Sequence, residues 1–191
     1  MSSPQYDVVL YGATGFTGGL TAQYLATHPQ QPRVAFAGRN RSKLEKVRQG
    51  LTKVSKERME SIGLIEASAS DKASLTRMAQ SAKVVMNLVG PYSQLGGKDV
   101  AQAAVEAGAG YVDLTGETGY YAELVEQLHG PAQKNHSILL PSVGFDSMPF
   151  DLGAYLAVQE VKKVAGPKAQ VELALCGYNI KHTVSGGTIA T

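Results

Sequence analysis

The segment that most restricts the fold lies near the N-terminus, where an apolar run meets three evenly spaced glycines. The run, residues 8–11, reads Val-Val-Leu-Tyr, and the glycines follow as Gly12, Gly15 and Gly18. A helix-compatible segment, residues 20–27, comes directly after them. This order predicts a buried parallel strand, a tight turn and a helix whose N-terminal N–H groups attract an anion, typically the pyrophosphate of a dinucleotide.

The three glycines have different expected roles. Gly12 permits the turn, Gly15 lets a phosphate approach the backbone, and Gly18 lets the helix pack closely against the strand. We expect the residues around Gly15 to contact the cofactor as well. They are Thr14, Phe16 and Thr17. The alternative is a plain strand–helix turn whose glycines serve only packing, because a glycine triplet alone is a weak signal.

A basic segment follows the second strand-like run, residues 33–37, at the position where such folds choose between cofactors. A carboxylate there would bind the ribose 2′-hydroxyl of NAD, but this chain has Arg39, Arg41 and Lys43. A guanidinium grips a 2′-phosphate through a fork of donors, and Ser42 adds a hydroxyl. We therefore expect NADP, held by Arg39 and Ser42. The alternative is that these basic side chains are only solvated surface charges. Positive charges are unfavourable at the N-terminus of a helix, which argues for a phosphate partner.

Strand-like and helix-like segments alternate along the chain, which predicts an α/β fold with a Rossmann-type, doubly wound parallel sheet. The later strand candidates are residues 62–65, 84–89, 111–114 and 138–140, and the apolar helical stripes are residues 44–54, 75–82 and 100–107. We expect the strand order 3-2-1-4-5-6, with its switch point between strands one and four. The loop with Val89, Gly90 and Pro91 then lies on the nicotinamide side of the site.

The last third of the chain predicts a different arrangement. We expect the dinucleotide-binding domain to span residues 1–150, with a helix starting near Pro149 and a strand over residues 171–180. Residues 151–191 would then be a linker helix and the beginning of an incomplete α+β domain for substrate binding and dimerisation. The segment 183–191 resembles a loop that opens a helix, so we expect the chain to be a fragment.

The composition is that of an ordinary globular protein, 43% hydrophobic and 18% charged, with a net charge of +2. No block of like charge suggests a nucleic-acid partner. The one cysteine, Cys176, fits a reducing compartment, and neither a signal peptide nor a membrane-spanning apolar run is present, so we expect a cytoplasmic protein. The four histidines are scattered without ligand spacing, and we expect no metal.

Two common mechanisms do not fit the sequence. Extended short-chain dehydrogenases share the glycine spacing but need a lysine four residues after a tyrosine, and no tyrosine here has one. A serine nucleophile would require Gly-x-Ser-x-Gly, which is absent. Hydride transfer with help from an acid remains. The candidate acids at strand ends are Tyr92, Asp113, Glu117 and Asp146.

Tyr92 is the predicted proton donor, because it follows the fourth strand and can place a phenol near the nicotinamide. Glu117 is a second catalytic candidate, although a carboxylate at that position could equally cap the next helix. Asp71, after the third strand, is predicted to contact the adenine side of the cofactor. Ser70 and Asp71 also resemble a helix start.

Five motifs in order carry a family resemblance. They are residues 11–18 (Tyr-Gly-Ala-Thr-Gly-Phe-Thr-Gly), 37–39, 87–92, 111–117 and 144–149. Together they resemble the saccharopine dehydrogenase-like oxidoreductases, which include trans-acting enoyl reductases of mycobacterial lipid synthesis. The resemblance implies an NADP-preferring Rossmann domain and an α+β substrate domain that is longer in other members. It also implies a lipid or acyl substrate, association with a membrane or lipid-droplet surface, and a homodimer of the full-length protein.

Within that family the sequence favours one activity. Saccharopine reductases carry a Gly-Leu-Asp-Pro-Gly type segment where this chain has residues 144–149, and a Ser-Tyr pair where it has residues 115–117. The resemblance therefore implies an NADPH-dependent enoyl reductase acting on a thioester-linked acyl chain. The alternatives are a catalytically silent NADP-binding protein, associated with lipid droplets or sensing redox state, and, less favoured, a saccharopine reductase.

Overall fold

A computed structural model describes residues 3–177, which contain a six-stranded, all-parallel sheet with the order β3-β2-β1-β4-β5-β6. The strands are β1 (Tyr6–Tyr11), β2 (Val34–Gly38), β3 (Gly63–Glu66), β4 (Ala82–Asn87), β5 (Gly110–Asp113) and β6 (Leu139–Leu140). The helices are α1 (Phe16–Thr27), α2 (Arg41–Gln49), α3 (Lys56–Ser61), α4 (Lys72–Gln80), α5 (Gly97–Ala107), α6 (Thr118–Asn135) and α7 (Met148–Ala165). The predicted doubly wound sheet and its strand order are confirmed.

Two hydrophobic clusters cover the two faces of the sheet. Neighbouring residues of β1 alternate between them, because successive side chains of a strand point to opposite faces: Val9 belongs to the cluster with α4, α5 and α6, and Leu10 to the cluster with α1 and α2. All five residues of β2 are buried, as expected for a strand covered on both faces. The core therefore fixes the carboxyl ends of the central strands.

Two apolar stripes run past the ends of their helices. The backbone N–H of Gly50 closes α2, so Leu51 lies beyond the helix but still packs with Leu44 in the same cluster. Ser81 closes α4 in the same way, and Ala82 is the first residue of β4. The stripes predicted the buried side chains, whereas the capping residues decide where the helices end.

The part of the chain after β6 differs from the sheet domain. The helix predicted near Pro149 begins at Met148, and none of its 18 residues is buried. The strand predicted over residues 171–180 is wrong for residues 171–177, because no strand of the described residues pairs with them; residues 178–180 lie outside the described residues. The domain boundary at residue 150 stays a prediction. Of the helices within residues 3–177, none has the length and apolar character needed to cross a membrane.

Candidate cofactor site and active site

The carboxyl ends of four strands meet at one edge of the sheet. The register aligns Ala37 of β2, Tyr11 of β1, Asn87 of β4 and Asp113 of β5 in one row. The loops that follow these residues therefore share one edge, at the switch point between β1 and β4. Ligands of doubly wound folds bind outside this edge.

Gly12 and Gly18 are required by backbone crowding. Gly12 has a φ of +92°, and its N–H donates to the carbonyl of Ala37 at 2.9 Å. A Cβ at Gly12 would lie 2.7 Å from Cγ2 of Val89, so the turn after β1 touches the loop after β4. A Cβ at Gly18 would lie 2.1 Å from the carbonyl oxygen of Gly12. The close approach of α1 to β1 thus depends on Gly18.

Gly15 faces open space instead. It occupies the N-cap position of α1, where no side chain caps the helix. A Cβ at Gly15 would contact only the Gly12 carbonyl oxygen, at an ordinary 3.5 Å. Thr14, Gly15 and Phe16 are exposed, and the first N–H groups of an α-helix lack intrahelical acceptors. This end of α1 therefore fits an anion held by backbone N–H groups.

Arg39 is an exposed basic residue beside this turn. It is exposed directly after β2, and among residues 3–177 no hydrogen bond or ion pair engages its guanidinium. The guanidinium of Arg41, in contrast, donates to the carbonyl of Leu64 at 3.2 Å. Asn40 caps α2 by accepting from the Lys43 N–H at 2.9 Å, and Ser42 is exposed in the first turn of that helix.

Asp71 caps a helix. It is the N-cap residue of α4, and its Oδ1 accepts from the Ser74 N–H at 3.2 Å. The structure therefore confirms the predicted helix start at this position. Contact between Asp71 and the adenine side of a cofactor stays a prediction.

The loop after β4, residues 88–96, carries the predicted nicotinamide-side residues. Asn87 Oδ1 accepts from the Val89 N–H at 3.0 Å, and the Gly90–Pro91 peptide bond is cis. Tyr92 turns back into the protein and is only 3% exposed. Its hydroxyl donates to the Asn87 carbonyl at 3.0 Å and accepts from the Leu114 N–H at 3.3 Å.

The environment of Tyr92 keeps its phenol neutral. Burial raises the pKa of Tyr92 well above its ordinary value, and its ring stacks on Tyr120 at a centroid distance of 5.5 Å. The role of Tyr92 as proton donor stays a prediction. It would require the hydroxyl to leave the Asn87 carbonyl, to which it donates its proton.

Glu117 does not cap a helix, although it occupies the N-cap position of α6. Its carboxylate reaches to the loop after β4 and accepts from the Tyr92 N–H at 2.6 Å, from the Ser93 N–H at 3.1 Å and from the Ser93 hydroxyl. The capping alternative for Glu117 is therefore wrong. Partial burial alone would raise the pKa of Glu117, but the hydrogen bonds from Ser93 and Tyr92 outweigh it and lower that pKa.

A buried polar network lies beneath this loop. Asn87 Nδ2 donates to the Tyr111 hydroxyl at 3.1 Å, and that hydroxyl donates to Asp113 Oδ2 at 2.9 Å. The Tyr111 hydroxyl also shares a 3.0 Å hydrogen bond with the Tyr120 hydroxyl. Asn87, Tyr111 and Tyr120 were not among the predicted site residues. A polar residue at the end of an otherwise apolar strand is the signal that points to Asn87.

The buried carboxylate of Asp113 connects the end of β5 to two later backbone segments. Asp113 is 1% exposed, and its Oδ1 accepts from the N–H groups of Thr115 and Ser142, both at 3.0 Å. Burial raises the pKa of Asp113, although these hydrogen bonds oppose the shift. Asp146 lies exposed in the turn before α7 and is not part of this network. Within residues 3–177, no group of three or more His, Cys, Asp or Glu side chains is placed to hold a metal ion.

Comparison with known proteins identifies the sheet domain. Residues 8–140 match the family model of the saccharopine dehydrogenase NADP binding domain. A trans-acting enoyl reductase of Mycobacterium tuberculosis (strain H37Rv) is 38% identical over 188 residues, covering 98% of this chain and 44% of that protein. The trans-acting enoyl reductase of Mycobacterium ulcerans is 37% identical over 194 residues, covering 100% of this chain and 45% of the relative. The chain thus spans less than half the length of these curated relatives.

Solved structures share the fold. The apo saccharopine dehydrogenase (L-Glu forming) of Saccharomyces cerevisiae superimposes with a TM-score of 0.65 at 19% identity, covering 84% of this chain and 32% of that chain. The triphenylmethane reductase of Citrobacter, solved with NADP(H), has a TM-score of 0.50 at 16% identity, covering 70% of this chain and 48% of that chain. The chain belongs to the saccharopine dehydrogenase-like oxidoreductase family, and residues 8–140 are its NADP-binding domain.

Proposed function

We propose that the protein is an NADPH-dependent enoyl reductase that reduces an α,β-unsaturated acyl thioester, a precursor of a lipid. The observation that carries this proposal is the 38% identity, over 98% of the chain, to proteins named trans-acting enoyl reductase. Association with a lipid surface and formation of a homodimer stay predictions, as does the catalytic assignment of Tyr92 and Glu117.

The geometry supports the cofactor half of this proposal. The open end of α1 around Gly15 suits the pyrophosphate, and the free guanidinium of Arg39 suits the 2′-phosphate, with Ser42 beside it. The contact of Val89 with the turn at Gly12 supports the prediction that residues 89–91 line the nicotinamide side. When bound, NADPH supplies the hydride that reduces the carbon–carbon double bond; a proton completes the saturated product.

An assay of cofactor oxidation tests the reaction. We expect the protein, in the length that its cells produce, to consume NADPH when α,β-unsaturated acyl-CoA thioesters of graded chain length are added. The measurement is the loss of reduced-nicotinamide absorbance, with the saturated thioesters as matched controls. Tight binding of NADPH without turnover on any unsaturated thioester would contradict the proposal. Turnover with glutamate and aminoadipate semialdehyde would support saccharopine chemistry instead.

A second candidate function is a cofactor-binding protein without turnover of its own. One observation favours it: the two predicted acid groups both have internal partners. The hydroxyl of Tyr92 lies between two backbone groups, and the carboxylate of Glu117 accepts from the Tyr92 and Ser93 N–H groups and the Ser93 hydroxyl. The same assay separates the two functions, because only the enzyme consumes NADPH.

The substitution Tyr92→Phe tests the predicted proton donor. The hydroxyl bridges two backbone groups in the interior, so we expect its loss to lower the free energy of unfolding by about 1–2 kcal/mol. NADPH affinity should fall by no more than about threefold, since the ring still stacks on Tyr120, whereas turnover should fall by about a hundredfold or more because the proton donor is lost. Chemical denaturation and steady-state kinetics measure the two effects. Turnover within about threefold of wild type would contradict the role of Tyr92 as donor.

A further inference from the structure

Glu117 joins two loops that are distant in sequence. Its carboxylate accepts from two consecutive backbone N–H groups, those of Tyr92 and Ser93, and from the Ser93 hydroxyl. Among the described residues, no lysine or arginine forms an ion pair with it. The charge of Glu117 therefore acts on the backbone of the loop after β4.

Glu117 is itself held by a buried support. Its N–H donates to the Thr115 hydroxyl at 3.0 Å, and the Thr115 N–H donates to Asp113 Oδ1 at 3.0 Å. Asp113 lies in the interior at the end of β5. The backbone of Glu117, from which the carboxylate projects, is thus held by Thr115 and Asp113 at the end of β5.

The loop after β4 is fixed at both ends of the segment 89–93. On one side the Val89 side chain packs against the turn at Gly12, where the pyrophosphate is proposed to bind. The contact is so close that a Cβ at Gly12 would lie 2.7 Å from Val89 Cγ2. On the other side Glu117 holds the N–H groups of Tyr92 and Ser93. Gly90 and Pro91 lie between these two anchors, so their position follows from both.

We propose that Glu117 is a positioning residue that holds residues 90–93 in the shape that receives the nicotinamide half of NADP. This inference rests on the proposed cofactor site. The N–H groups of Tyr92 and Ser93 are fixed by Glu117 before the cofactor binds. The loop therefore loses less conformational entropy when the cofactor binds. The carboxylate accepts hydrogen bonds from three donors and stays ionised at neutral pH, a state that suits an acceptor and not an acid.

Two ligands separate the two halves of the site. NADPH occupies both halves, whereas adenosine 2′,5′-bisphosphate lacks the pyrophosphate-linked nicotinamide. In calorimetric titrations of this chain, we expect Glu117→Ala to weaken NADPH binding about tenfold and to leave the bisphosphate within about twofold of wild type. Glu117→Gln retains one acceptor oxygen and a donor for Ser93 Oγ. Its NADPH affinity should therefore lie between that of the wild type and that of Glu117→Ala. The change in nicotinamide fluorescence when NADPH binds should be largest in the wild type, smaller in Glu117→Gln and smallest in Glu117→Ala.

Glu123→Ala is the matched control. Glu123 lies on the same helix, α6, and its carboxylate pairs with the Lys98 ammonium of α5 at 2.6 Å and not with the N–H groups of Tyr92 and Ser93. We expect this variant to bind both ligands as wild type does. Thermal unfolding checks that each variant is folded, and Glu117→Gln provides the comparison if Glu117→Ala is not.

The outcomes distinguish this inference from the proposed cofactor site. Wild-type NADPH affinity in both Glu117 variants overturns the positioning role and leaves the cofactor site intact. An equal loss of both ligands also overturns it, because the damage would then extend to the adenosine half. If the wild-type chain binds neither ligand, the cofactor site fails and the positioning role fails with it.

Discussion

The variant Gly18→Ala is expected to lose about 3 kcal/mol of unfolding free energy and, with it, cofactor binding. The added Cβ would lie 2.1 Å from the Gly12 carbonyl oxygen and 2.9 Å from the Ala13 Cα. Both are backbone atoms, so α1 would have to move away from the turn that follows β1. Chemical denaturation measures the loss of stability, and titration with NADPH measures the loss of binding.

Two neighbouring glycines provide controls for Gly18→Ala. A Cβ at Gly19 meets nothing within 4 Å, so Gly19→Ala should be neutral or stabilise α1 by about 0.5–1 kcal/mol. A Cβ at Gly15 meets only the Gly12 carbonyl oxygen at 3.5 Å, so Gly15→Ala should change stability by no more than about 0.5 kcal/mol. We expect Gly15→Ala still to weaken NADPH binding, because its methyl group occupies the approach of the phosphate. Wild-type stability in Gly18→Ala would refute the close packing of α1.

The variant Arg39→Ala is expected to remove the preference for NADPH over NADH. A guanidinium fork to the 2′-phosphate contributes about 1.5–3 kcal/mol, which is more than tenfold in affinity. NADH affinity should stay unchanged, because its ribose carries no phosphate for Arg39 to bind. Calorimetric titration of the wild type and the variant with both nucleotides measures the change.

Arg41→Ala is the control for Arg39→Ala. The Arg41 guanidinium is already bonded to the carbonyl of Leu64, so its removal should reduce stability and leave the nucleotide preference in place. If Arg41→Ala removes the preference and Arg39→Ala does not, the 2′-phosphate lies on the side of β3. The assignment to Arg39 would then be wrong.

The sequence predicted the sheet well because its signals are local. The glycine spacing and the apolar runs predicted the strands, and the doubly wound pattern predicted the order 3-2-1-4-5-6 that is observed. It failed for residues 171–177, where an apolar composition is not sufficient: a strand also needs a neighbour to pair with. Helix ends were missed at Gly50 and Ser81 for a related reason, because apolar periodicity continues past the cap.

The contacts within the candidate site depend on residues that are far apart in sequence. Arg39 and Arg41 are equivalent in the sequence, and only the Leu64 carbonyl, contributed by another strand, distinguishes them. The direction of Tyr92 is set by Asn87 and Leu114. A local pattern at Glu117 left a helix cap open as the alternative to a catalytic role, whereas its actual partners lie 24 and 25 residues earlier in the chain.

The buried tyrosines beside the loop after β4 give the chain an optical property of its own. The sequence has nine tyrosines and no tryptophan, and Tyr92, Tyr111 and Tyr120 cluster within this network. Their intrinsic emission is therefore not masked by an indole. A reduced nicotinamide brought close to this cluster would quench that emission by energy transfer, so the occupancy of the site can be followed without attaching a label.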